Sequence, residues 1–201
     1  MLIGFFAQGE GPHLAIAKHL IDSAKQVMPK VDVWHLTDGK TPAMGRCIRI
    51  VEPMPMGIRR LEHYARLTGD WCFVDSDVVF RKDVRDVFDK PFDVALASRE
   101  GTIWADGEYA RVNPYNFGVV FSRCPRFWQT VIKGVESLPG GMHDWGGEQF
   151  VTCELAKRRD FKVEILPSSY NFTPAKREDS LEHVHIAHYK GPRKAWITMP
   201  P

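Results

Sequence analysis

Asp75 and Asp77, separated only by Ser76, close the apolar run Trp71-Cys72-Phe73-Val74, and carboxylates at that spacing can do chemistry. In an extended segment, side chains two apart share one face, about 6–7 Å from each other. Two carboxylates held so close repel unless a cation sits beside them. Hard oxygen ligands of this kind suit Mg²⁺ or Mn²⁺, ions commonly shared with substrate phosphates. The alternative is a strand-to-loop turn in which the same acids only cap backbone amides.

A second chemical segment lies near the C-terminus, where His188, Lys190, Gly191, Arg193, Lys194 and Trp196 follow one another closely. An imidazole can complete a divalent site begun by two carboxylates, Mn²⁺ in particular accepting mixed nitrogen and oxygen ligands. Gly191 would admit a phosphate close to the backbone, and Lys194 would act on it as a point charge. His183 and His185 alternate with Val184 and Ile186, which reads as one solvated or hydrogen-bonded strand face. Asn116 precedes Gly118 and an apolar run, where it could bond a sugar hydroxyl or close a turn. The segment from Gly140 to Gln149 sets four glycines around His143, Asp144, Trp145 and Glu148, a composition for a mobile site loop or a long surface loop.

These residues need elements to position them. Leu2 to Ala7 reads as a buried strand, and Pro12 can open a helix whose Leu14, Ala17, Ile21, Ala24 and Met28 share one face. Strands follow over 31–36 and 48–51, a helix over 58–67, and then the strand that carries the two aspartates. Further strands are expected over 92–97, 117–121 and 181–187, with helices over 126–135 and 149–158. The alternation predicts an α/β domain with a mostly parallel central sheet flanked by helices, and a single domain over residues 1–201. Ligands of such sheets bind beyond the carboxyl ends of strands, where Gln8, Asp38 and the aspartate pair fall.

Bulk composition narrows the class. A chain that is 44% hydrophobic and 26% charged folds as a globular domain. A net charge of +2, spread along the chain, is no nucleic-acid signature. Cysteines 47, 72, 124 and 153 have no paired or metal-ligand spacing, which predicts reduced thiols and a cytoplasmic location. No apolar stretch approaches the ~20 residues that span a bilayer.

Taken in order, Asp75-x-Asp77, Asn116-x-Gly118, Glu148-Gln149 and His188-x-x-Gly191-x-x-Lys194-x-Trp196 resemble the family-eight retaining glycosyltransferases, the glycogenin and galactosyltransferase-like enzymes of the GT-A fold. The resemblance runs from about Leu2 to Trp196 and is specific in those four blocks. It implies Mn²⁺ or Mg²⁺ on Asp75, Asp77 and His188, with Ser76 between the acids, and a donor diphosphate on Gly191 and Lys194. It implies a donor sugar lined by Asn116 and Gly118 and met by Glu148 and Gln149. Arg59 or Arg60 would contact the donor, and Ala7, Gln8 and Asp38 would lie near uracil and ribose. Two positions depart from the pattern: Ala195 stands where the family has proline, and Glu148 where it has aspartate, so Asp144 competes for that role. The chain is also short for the family, which implies a reduced acceptor-binding part.

The expected activity is metal-dependent transfer of a hexose from a UDP-sugar to a saccharide or other hydroxyl acceptor, with retention. No side chain is an obvious nucleophile, leaving Gln149, Glu148 and Asp144 for the face opposite the leaving group. Alternatives are a nucleotidyltransferase, for which Gly9-Glu10-Gly11 is a poor phosphate loop, and a catalytically weak nucleotide-sugar binder.

Overall fold

The computed structural model describes residues 1–198 except Ile103, Trp104 and Trp145. Strand β1 (Leu2–Phe6) leads to helix α1 (Pro12–Val27), β2 (Asp32–Thr37), β3 (Arg46–Arg49) and α2 (Met56–Arg66). Then come β4 (Trp71–Asp75), β5 (Val78–Phe80), β6 (Val94–Ser98), α3 (Glu108–Val112) and β7 (Tyr115–Ser122). Helices α4 (Pro125–Glu136) and α5 (Gly147–Ala156), strands β8 (Val163–Leu166) and β9 (Ile186–His188), and α6 (Ala195–Thr198) complete the order.

The main sheet runs β3-β2-β1-β4-β7-β6-β8, with β7 antiparallel to both neighbours and the other pairings parallel. Period-two alternation divides its side chains between two cores. Ile3, Phe5, Cys72 and Val74 face α1, which contributes Ala17, Leu20 and Ala24. Trp71 and Phe73 face the other way, toward Leu61 and Tyr64 of α2 and Trp128 and Val131 of α4. There the Tyr64 ring stacks on Phe73 at 3.8 Å between centroids. The Trp128 indole N–H is satisfied by Ser122 Oγ at 2.7 Å, so the buried ring leaves no orphan donor.

Several expectations change. Strand β4 stops at Asp75, and Ser76 and Asp77 form the turn into β5. The acids are therefore brought together by a turn, not by strand pitch. The third strand lies two residues earlier than expected, at Arg46–Arg49. The last strand is only Ile186–His188, so His183 and His185 share no strand face. Upstream of it the chain turns, Val184 N bonding Leu181 O at 3.1 Å. Helix α5 starts at Gly147, placing Glu148 in its first turn. Strands β5 and β8 and helix α3 were not anticipated: three to five residues carry too little periodicity to register. All four cysteines are free, and burial pushes the Cys72 thiol up. Among the described residues, no helix is long and apolar enough to cross a membrane.

Candidate active site

The antiparallel pair β5–β9 sets Val78 opposite His188, so the turn carrying Asp77 meets the strand carrying the imidazole. His188 Nε2 lies 3.0 Å from Asp77 Oδ1 and 3.5 Å from Asp75 Oδ2. One ligand atom from each of the three residues falls within 4.8 Å of the others. Lys194 Nζ, on the short helical turn after Gly191, reaches Asp77 Oδ2 at 3.2 Å. Gly191 has φ 59°, a left-handed conformation that glycine adopts without strain. Burial opposes the charge on Asp77, but His188 and Lys194 outweigh it and hold the carboxyl well below the usual carboxylate range.

A network behind His188 decides which nitrogen faces the acids. Asn171 Nδ2 donates to the Asn116 carbonyl at 2.9 Å, which turns its Oδ1 toward His188 Nδ1 at 2.8 Å. An acceptor there takes the proton on Nδ1, so that Nε2 could offer its lone pair to a cation seated between the two carboxylates. That set, two hard oxygens and one imidazole nitrogen, could hold a divalent cation. Gly118 makes the arrangement possible. A methyl group at that position would overlap the His188 ring and press on Asp75 Oδ2 at 2.9 Å.

Around this trio opens a cleft of ≈ 570 Å³. Arg60 lines it, donating to Asp75 Oδ1 at 3.0 Å and to Glu148 Oε1. Burial works against the Arg60 charge, yet Glu148 and Asp75 more than restore it. The other oxygen of Glu148, Oε2, is buried with no partner among the described residues. Gln149 also lines the cleft, accepting from Arg99 Nη2 at 3.1 Å and donating to the Tyr109 hydroxyl at 2.8 Å. Asn116 Oδ1 accepts from Lys190 Nζ at 2.7 Å. Burial, then repulsion from Arg99, lowers the Lys190 ammonium to about 8.

The remaining candidates stand apart from this lining. Arg59 turns the other way from Arg60, donating to Gln8 Oε1 at 2.7 Å and the Glu52 carbonyl at 2.9 Å. The Ala7 carbonyl accepts from Thr37 Oγ1 at 2.6 Å and His35 Nε2 at 3.0 Å, tying the ends of β1 and β2 together. Asp38 Oδ1 takes the amides of Lys40 at 3.0 Å and Thr41 at 2.7 Å. Ser76 is buried in the turn between the acids. Asp144 Oδ1 accepts the Met56 amide at 2.8 Å, capping α2 from a distant segment. Its neighbour Trp145 lies outside the described residues.

Sequence reasoning missed Asn171, Arg99, Tyr109 and Asp106, the last three of which line the cleft. Lys190 was visible within the basic run, but nothing marked it as pointing inward. A lone Asn or Arg at a loop carries no periodicity or spacing by which to find it.

No protein-family model matches the chain, and no curated protein does. Solved structures do. The glycosyltransferase GlyE of Streptococcus pneumoniae TIGR4 superposes with a TM-score of 0.71 at 16% identity over 99% of this chain, which spans 61% of GlyE. The galactosyltransferase LgtC, solved with donor and acceptor sugar analogs, gives 0.66 at 16% identity, covering 96% of this chain and 88% of LgtC. A glycosyltransferase involved in glycosylation of the major capsid of PBCV-1 gives 0.65 at 12% identity, with 98% of each chain covered. At these identities the likeness is one of fold, and the fold is that of the GT-A glycosyltransferases.

Proposed function

We propose that this protein transfers a hexose from a nucleotide-diphosphate sugar, a UDP-sugar by its resemblance to family eight, to an acceptor hydroxyl with retention of configuration. The observation that carries the reading is the convergence of Asp75, Asp77 and His188 beside Lys194 in a cleft on a glycosyltransferase fold. LgtC, which shares the fold, was solved with donor and acceptor sugar analogs, and that supports a donor and an acceptor here.

Asp75, Asp77 and His188 would hold a divalent ion, Mn²⁺ or Mg²⁺, which when bound supplies positive charge for the leaving diphosphate. Lys194 adds a second charge at the same end, and Gly191 lets the backbone approach a phosphate oxygen. Arg60 holds Asp75 and Glu148 at fixed spacing, so their oxygens need no reorganisation as substrate binds. Glu148 Oε2 is a buried acceptor in want of a donor, the role a sugar hydroxyl fills. Gln149 Oε1 and Nε2 are both engaged, which suits a group that orients the sugar. Glu148 Oε1 is held in its ion pair and Asp144 Oδ1 in its cap, which weighs against covalent attack through either of those oxygens.

Calorimetry tests the reading directly. UDP should bind more tightly with Mn²⁺ than with chelator, because an ion held by Asp75, Asp77 and His188 would supply positive charge to the diphosphate. Equal affinity in the two conditions would remove the metal-bridged donor.

A further inference from the structure

Four cations line the cleft, and they divide into two kinds. Arg60 is paired with Asp75 and Glu148, and Lys194 with Asp77. Arg99 and Lys190 have no such answer: among the described residues, no carboxylate lies within ion-pair distance of either. Arg99 is only 4% exposed. Its Nε donates to the carbonyls of Asn113 at 2.8 Å and Tyr115 at 3.2 Å, and its Nη2 to Gln149 Oε1. Its guanidinium carbon sits 5.3 Å from the centroid of the Tyr109 ring. Lys190 Nζ donates to the Asn116 carboxamide oxygen at 2.7 Å. Every one of these acceptors is uncharged.

Positioning Gln149 does not explain the charge, since a neutral donor could serve a carbonyl or carboxamide equally well. A buried cation such as Arg99 without a counter-ion is costly, and with the half-buried Lys190 facing the same cleft the pair favours an anion. The diphosphate is already provided for at the other end, by Lys194 and the metal-ligating trio. Arg99 instead stands against Tyr109 and Gln149, the latter among the residues assigned to the sugar. A planar guanidinium fork matches a carboxylate, and a nearby ammonium adds a point charge.

We infer that Arg99 and Lys190 recognise a carboxylate carried by the substrate sugar, so that this cleft handles a hexuronate in preference to a neutral hexose. This rests on the nucleotide-sugar reading above, and the carboxylate can belong to the donor sugar or to the acceptor.

Calorimetry in the presence of Mn²⁺ separates these sources without requiring turnover. In the donor arm, UDP-glucuronate is compared with UDP-glucose, and UDP-galacturonate with UDP-galactose. In the acceptor arm, methyl glucuronide is compared with methyl glucoside on protein saturated with UDP. The carboxylate-bearing member should bind roughly 10- to 100-fold more tightly in one arm, the range of a charge-assisted hydrogen bond. Lys190→Gln, whose side chain is half-buried and easily accommodated, should reduce that preference by about tenfold. If UDP binds but neither arm favours the carboxylate, the inference falls and the glycosyltransferase reading stands. If UDP itself fails to bind with Mn²⁺, both fall.

Discussion

At the scale of single residues, the site depends on three side chains whose spacing leaves little tolerance. Asp77 meets both His188 and Lys194, so Asp77→Asn should keep the fold while removing the dependence of UDP affinity on Mn²⁺. Circular dichroism with calorimetry checks both halves; persistence of the metal effect would take Asp77 out of the ligand set. Gly118 offers a separate test, because a side chain there would meet the His188 ring first. Gly118→Ala should evict His188 from its seat and reproduce the metal-binding defect of His188→Ala, measured by Mn²⁺ titration. Lys194→Ala should lower kcat more than it raises KM, by on the order of 10²-fold, if its charge acts mainly on the developing diphosphate. A change confined to KM would assign it to ground-state binding alone.

The elements show why these side chains stay where they are. Helix α2 carries Arg59 and Arg60 to opposite sides, and it is anchored at its start by Asp144 and at its middle by His63. Asp144→Ala should therefore cost about 1 kcal/mol of stability, as loss of a helix cap does. A reactive carboxylate would behave differently, losing activity without stability; urea unfolding alongside an assay distinguishes the two. His63 donates Nε2–H to the Thr37 carbonyl at 3.0 Å, while its Nδ1 is buried without a partner among the described residues. Burial, assisted by Arg66 and Arg59 on its own helix and His35 on β2, brings its imidazole down to about 4. The folded-state value lies below the unfolded value near 6.5. The unfolded chain thus takes up the proton first, and stability contributed by His63 is full above pH 6.5 and lost as pH falls toward 4. The loss should reach up to about 3 kcal/mol. Urea midpoints measured across that window should slope less in His63→Gln than in the parent.

For the molecule as a whole, the cleft gathers groups from α2, β4, β7 and α5 and from the β5–β9 pair beside the main sheet. Binding there couples to global unfolding, because the unfolded chain cannot assemble Asp75, Asp77 and His188. UDP with Mn²⁺ at a hundred times its dissociation constant should stabilise the fold by about 2.7 kcal/mol. Either component alone should give less. A melting temperature that responds to UDP identically with chelator present would contradict this coupling.

How much of this was legible beforehand varies with the physical range of each signal. The parallel strands β1, β2 and β4 and the helices α1, α2 and α4 announced themselves through local periodicity, which survives in any context that buries one face. The acid pair, the histidine and the glycine–lysine spacing were readable because each block is local. The sequence could not separate Arg59 from Arg60, adjacent residues whose opposite directions follow from how α2 packs. It could not say that Gly118 seats an imidazole seventy residues away in the chain. Nor could it show that Asn171 bonds His188 Nδ1, or that among the described residues no carboxylate lies within ion-pair distance of Arg99 or Lys190. The residue types and the α/β class belonged to the sequence. The pairing of charges was decided only by the tertiary structure, because Coulomb and hydrogen-bond energies depend on distances that folding alone sets.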